Sequence, residues 1–285
     1  MRIILSRKGV DSGKEAGQLA SPILNNTLIS LPIPGSSQIT YGDLSFRGVS
    51  FGTLVEDLSN RCLRRTRSVH LDPDLRRNAF PRKPGWRPIF GQGNRQARAH
   101  LQRCGVTVGD LFLFYGWFRE TERDDGKYWY KSDAPDVHVI YGWLQVGEVV
   151  SCNDVRLSDI PWARYHDHFR WHDGTAYIAS ETLHLGYDLE GIAGAGHFTH
   201  YSDRLRLTAP GSERRGVWQM PEWFRPRNGC FPLTYHGDRT RFSRRGNKTI
   251  VRSVARGQEF VLDTREYREA IAWARRLIVN AGNAA

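Results

Sequence analysis

The sequence predicts an α+β fold, a single mixed domain over residues 1–285 with a curved antiparallel sheet or barrel at its centre and helices at its flanks. Three observations predict it. Gly105 to Val150 holds two long β-prone runs, GVTVGDLFLFYGWFR and DVHVIYGWLQVGEVV, each with a Tyr-Gly-Trp triplet (Tyr115-Gly116-Trp117 and Tyr141-Gly142-Trp143). Helical periodicity appears at three separated places. No low-complexity linker and no longer internal repeat divides the chain.

Residues 105–150 read as the central strands, two antiparallel neighbours joined by a polar loop or extended turn, ETERDDGKYWYKSDAP. A glycine in mid-strand marks a bulge or the close approach of another group. Alternation puts Tyr115 and Trp117 on one face and Phe114 and Phe118 on the other, so one face is core and the other is open to form an aromatic slot. Upstream, Ile3 to Leu5 form a short buried strand, and Thr27 to Ile33 a second strand ended by Pro32 and Pro34. Thr53 and Glu56 have capping-box spacing and open a helix to Leu63. Asn94 to Arg103 is a basic helix closed by Gly105. Ser151 to Gly216 is irregular with short β pieces, Thr175–Ala179 and Arg204–Leu207 among them. Asp263 or Thr264 starts a helix to Asn280 with a stripe of Tyr267, Ala270, Ile271, Ala274, Leu277 and Ile278.

Composition narrows the function. A hydrophobic content of 40% with 9 Trp describes a folded globule. The net charge of +11 favours a polyanionic partner, DNA or RNA before an anionic membrane. Cys62, Cys104, Cys152 and Cys230 form no CxxC pair and read as free thiols. No apolar run of membrane-spanning length occurs and the N-terminus reads as a strand, so a cytoplasmic protein is expected. There is no Walker loop, no GxSxG elbow and no GxGxxG, and no cofactor is expected.

Several short motifs carry possible chemistry. Arg7-Lys8-Gly9-Val10-Asp11 follows the first strand, where rigid backbone positions a loop. His70-Leu71-Asp72-Pro73-Asp74 places two carboxylates around a proline, a stiff acidic loop suited to general-base work. Gly91-Gln92-Gly93 precedes the basic helix, whose Arg95 and Arg98 face a phosphate backbone in this reading. His166 and His168, with His172, have the look of a metal set, but no further ligand motif accompanies them, and no metal is assigned. Arg239 to Arg252 gathers six basic residues around a phenylalanine, Arg244 and Arg245 at its centre.

The segments LSRKGVDSG, LISLPIP, HLDPDL, GVTVGDLFLFYGWFR, HVIYGWLQVGEVV, LTAPG and RGQEFVLD together resemble the nucleotide modification associated domain of the third type, over nearly the whole chain. More locally, GDLFLFYG and IYGWLQVGEV are similar to EVE and PUA-like barrels, which bind flipped modified bases. The resemblance implies DNA carrying modified bases, such as that of phages, as partner. Joined to the basic, aromatic composition, it leads to the expectation of a DNA glycosylase that flips a hydroxymethylated or glucosylated cytosine and cleaves its N-glycosidic bond, in anti-phage defence. Asp72, Asp74 and Asp11 are the catalytic candidates in that order. Tyr41, Gln92, Tyr115, Trp117, Trp143 and Gln258 are the base-contact candidates. Arg7, Lys8, Arg95, Arg98, Arg244 and Arg245 are the DNA-contact candidates. A reader without chemistry and an enzyme that edits the base substituent in place are the alternatives.

Overall fold

A computed structural model describes residues 1–12, 19–186, 188–255, 257 and 259–282. Its spine is a mixed sheet whose main path runs through strands Glu259–Asp263, Arg2–Arg7, Leu111–Asp124, Val137–Ser151, Thr175–Ala179 and Ile89–Gln92. The two Tyr-Gly-Trp strands are antiparallel neighbours at its centre, with Val139 opposite Gly116 and Ile140 opposite Tyr115. The register shifts between Ile140 and Gly142, so the glycine does mark a bulge. At Gly116 a side chain would lie 2.6 Å from the Lys8 carbonyl, so glycine is required there by the chain segment that leaves the first strand.

The single α+β domain is the expected one, and of the two forms expected for its centre the sheet is open rather than closed into a barrel. It departs from expectation in being mixed, because Arg2–Arg7 and Ser21–Leu24 both run parallel to Leu111–Asp124. The parallel pairings join segments far apart in sequence through long crossings, which period-two patterning does not encode. The polar piece between the central strands is a hairpin, Lys127–Tyr130 folding back on Leu111–Asp124.

Among the described residues four α-helices flank the sheets: α1 (Phe51–Leu58), α2 (Arg95–Arg103), α3 (Asp167–Arg170) and α4 (Glu269–Gly282). α1 is capped by Ser50, whose hydroxyl accepts the Thr53 N–H, so the helix begins before the expected capping box and stops short of Leu63. Asn94 caps α2 by accepting the N–H groups of Gln96 and Ala97, and Gly105 follows it at φ +67°, the left-handed conformation glycine supplies. α4 starts later than predicted because Glu259–Asp263 continues as an edge strand and a turn follows it. Its inner face holds Ala270, Ala274, Leu277 and Ile278 of the expected stripe with Trp273 added, while Ile271 is partly buried and Tyr267, also buried, precedes the helix. Thr27 to Ile33 is not one strand: Thr27–Leu28 and Ile33–Pro34 belong to different sheets. Arg206 makes an isolated bridge to Val139 rather than part of a strand.

The main apolar core lies on the central strands, and a second lies beneath α1. A third, smaller core of Ile89, Cys152, Ala163, Phe169, Ala176 and Ile178 anchors α3 against the far edge of the sheet. Burial of Phe169 contributes about 1.5–3 kcal/mol and holds the histidines beside it.

Candidate functional site

The segment carrying HLDPD crosses the edge strand Ile89–Gln92. Asp74 makes a two-way backbone bridge to Ile89, and the Gly91 N–H donates to Asp72 Oδ1 at 2.6 Å. His70, on the short strand Val69–His70, pairs with Ile33. From the other side α3 brings His168, with His166 at its N-cap. Three imidazoles therefore converge on one carboxylate. His168 Nε2 lies 3.7 Å and His70 Nε2 4.0 Å from Asp72 Oδ2, and His166 Nε2 lies 3.9 Å from Asp72 Oδ1.

The glycines of Gly91-Gln92-Gly93 are explained by this packing. A methyl group on Gly91 would lie 2.0 Å from the His168 ring, and one on Gly93 would lie 2.7 Å from it. The ring rests directly on the strand backbone. Gly91→Ala is therefore expected to displace His168 and to destabilise the fold by about 1–3 kcal/mol, the usual cost of overpacking. The shift of the urea midpoint measures it, and a wild-type midpoint with an unmoved His168 NMR resonance would contradict the packing described.

Electrostatics separate the members of the cluster. Burial drives His70 down to about 3 and His166 down to about 4, so both rings are neutral at pH 7. Burial acts against the charged Asp72 carboxyl too, but attraction to His168, His70 and Lys8 outweighs it and holds the group at about 2. His168 is shifted upward: burial opposes its charged form, and Asp72 more than compensates. Asp167 is pushed up to about 6 by burial. Neither of its carboxylate oxygens has a hydrogen-bond partner among the described residues, and one lies 3.9 Å from His70 Nδ1.

Two further groups frame the centre. Glu259, fully buried, accepts from Gln92 Nε2 at 2.6 Å and pairs with Lys8 Nζ at 3.0 Å. Beside Glu259 opens a cleft lined by Arg95, Arg103 and Tyr235. Trp171 packs edge-on against His70 and His168 at ring separations of 5.6 and 6.0 Å while remaining about half exposed.

The structure distributes the other sequence candidates widely. Asp74 does not share the centre: Arg82 grips both its carboxylate oxygens and the Tyr165 hydroxyl donates to one of them. Asp11 pairs with Arg7. Tyr41 is wholly buried, its hydroxyl on the Pro32 carbonyl. Tyr115 packs against Trp218 and His138 in the main core. Trp117 donates to Asp136 beneath the Arg215 guanidinium, and Trp143 donates to the Ala193 carbonyl and packs on Phe198. Gln258 lies outside the described residues. Arg98 pairs with Asp173, while Arg244 and Arg245 project from the exposed hairpin Phe242–Arg245 and Lys248–Arg252, Arg244 reaching Glu222 at 3.4 Å. Sequence reasoning missed His70, Glu259 and Trp171. The His-x-Asp spacing of His70 and Asp72 was the available signal, the complement of the His-x-His pair that lacked a partner.

Residues 2–263 match the family model described as nucleotide modification associated domain 3. Neither a curated protein nor a solved structure matches the chain.

Proposed function

This chain belongs to the nucleotide modification associated domain 3 family, and from that membership we propose that it hydrolyses the N-glycosidic bond of a modified base in DNA, with Asp72 and its histidines as the water-activating centre. The observation that carries the reading is the convergence of three imidazole Nε2 atoms on Asp72 beside the half-exposed Trp171. Glycosidic hydrolysis needs an activated water and negative charge against an oxocarbenium-like sugar. Asp72 supplies the charge, and Trp171 offers a face on which an extruded base stacks. The cleft bearing Arg95 and Arg103, beside Glu259, offers cationic contacts to the phosphates of a bound duplex. We place the enzyme in the cytoplasm, in defence against phages whose cytosines are hydroxymethylated or glucosylated.

The test is single-turnover incubation with duplexes carrying hydroxymethyl- or glucosyl-cytosine. Abasic sites support the reading. A mobility shift without product supports a modified-base reader instead, and an altered but intact base supports editing of the substituent. Trp171→Ala is expected to weaken binding to the modified duplex by about 1–3 kcal/mol of stacking, with the fold unchanged because the ring is half exposed. An unaltered Kd would remove Trp171 from the site.

A second expectation concerns the exposed hairpin. Reversing charge with Arg244→Glu and Arg245→Glu should weaken binding to modified and plain DNA alike. It should also flatten the dependence of log Kd on log salt by about 0.9 for each phosphate the hairpin no longer neutralises. Normal binding of plain DNA by the double variant would make the hairpin a solvated face.

A further inference from the structure

We propose that His70, Asp72 and His168 form a binding site for one divalent first-row transition ion, with His166 orienting the carboxylate. The three ligand atoms, one from each residue, already lie within 4.8 Å of one another. With metal–ligand bonds of about 2.0–2.1 Å, atoms sharing one ion sit roughly 3–3.4 Å apart, so the two histidine contacts with Asp72 close by about 1 Å or less and the widest separation by at most about 1.8 Å.

Four independent features point the same way. His168 Nδ1 lies 3.2 Å from the Asp173 carbonyl, which holds a proton there, so Nε2, aimed at Asp72, is the nitrogen that an ion would take in exchange for a proton. His70 turns Nδ1 to the Asp167 carboxylate and Nε2 to Asp72, the carboxylate–histidine arrangement that supports metal-bound imidazoles. His70 Nε2 is buried without a hydrogen-bond partner among the described residues, as are both ring nitrogens of the wholly buried His166. Orphaned buried nitrogens are costly, and an ion at the centre removes that cost for His70 and recruits the carboxylate that His166 faces. The backbone holds the ligands rigidly: the Gly91 N–H fixes Asp72, and Gly91 and Gly93 admit the His168 ring.

The donor set selects the ion. Imidazoles with one carboxylate suit zinc, iron, cobalt or nickel, whereas magnesium and calcium require oxygen-rich shells. Three protein ligands leave open positions for water or substrate. This inference does not depend on the glycosidic reading, and its test uses no DNA.

The experiment is titration of chelator-treated, full-length protein with Co2+, followed by visible absorption, and with Zn2+, followed by calorimetry and by metal content after gel filtration. The expected result is one equivalent of either ion bound, displaced by neither Mg2+ nor Ca2+ in large excess. His168→Gln and Asp72→Asn should weaken Zn2+ at least 100-fold, and Asp167→Asn by about 10–100-fold, the usual scale for a supporting group. His200→Ala, away from the cluster, should bind as wild type. Absence of stoichiometric Co2+ and Zn2+ binding to the wild type overturns the proposal. So does wild-type affinity in all three cluster variants when circular dichroism shows them folded. Should a ligand variant unfold, wild-type stoichiometry and Asp167→Asn still decide. Metal bound without abasic product would overturn the glycosidic reading and leave the metal site standing.

Discussion

Asp72→Asn is expected to reduce abasic-site formation by about 10²–10⁴-fold, the scale on which loss of a charged acid–base group acts. The substitution keeps shape and an acceptor oxygen for the Gly91 N–H, and removes the negative charge on which three imidazoles converge. Affinity for the modified duplex should remain within a few-fold, since the stacking face and the basic hairpin are untouched. Single-turnover counting of abasic sites, with binding measured on the same preparation, separates the two effects. A wild-type rate would remove Asp72 from the chemistry and move attention to Glu259 with Lys8.

What the sequence made legible follows physical lines. The central strands were readable because long runs of aromatic and β-branched residues fit a pleated, buried surface, and the glycine bulge because mid-strand glycine has few other uses. The end of α2 was readable because Gly105 supplies the left-handed conformation that closes a helix, which is a short-range property. The parallel pairing of Arg2–Arg7 with Leu111–Asp124 was not readable, since it rests on contacts between distant segments. The candidate site divides in the same way. Asp72 stood out as part of a stiff acidic loop, but nothing local tells it from Asp74. His166 and His168 were set aside for lack of a partner because His70 and Asp72 arrive from a separate segment across the strand Ile89–Gln92. The four aromatic candidates Tyr41, Tyr115, Trp117 and Trp143 were singled out by side-chain type, and tertiary packing buries all four. Trp171, by contrast, is exposed only because it ends a one-turn helix next to the cluster.

The neighbouring carboxylate should behave in the opposite way to Asp72. Asp74 and Arg82 form a buried pair, each side chain about 3% exposed. Arg82 donates to both Asp74 oxygens and to the Arg76 carbonyl, and its guanidinium lies 3.8 Å from the centre of the Phe80 ring and 4.5 Å from that of Trp86. Tyr165 closes the network, donating to Asp74 and accepting from Trp86 Nε1 at 2.7 Å. Removing one partner strands the other charge in a dry, aromatic cage, which costs about 3–5 kcal/mol. Asp74→Ala should therefore lower the urea midpoint by an amount equivalent to that loss, while turnover per folded molecule, measured well below the melting temperature, stays near wild type. Combining it with Arg82→Met should recover much of the lost stability, because an apolar side chain of similar reach needs no counter-charge. A hundredfold fall in turnover with an unchanged midpoint would reverse the assignment, placing the chemistry at Asp74 and leaving Asp72 a structural partner of the histidines.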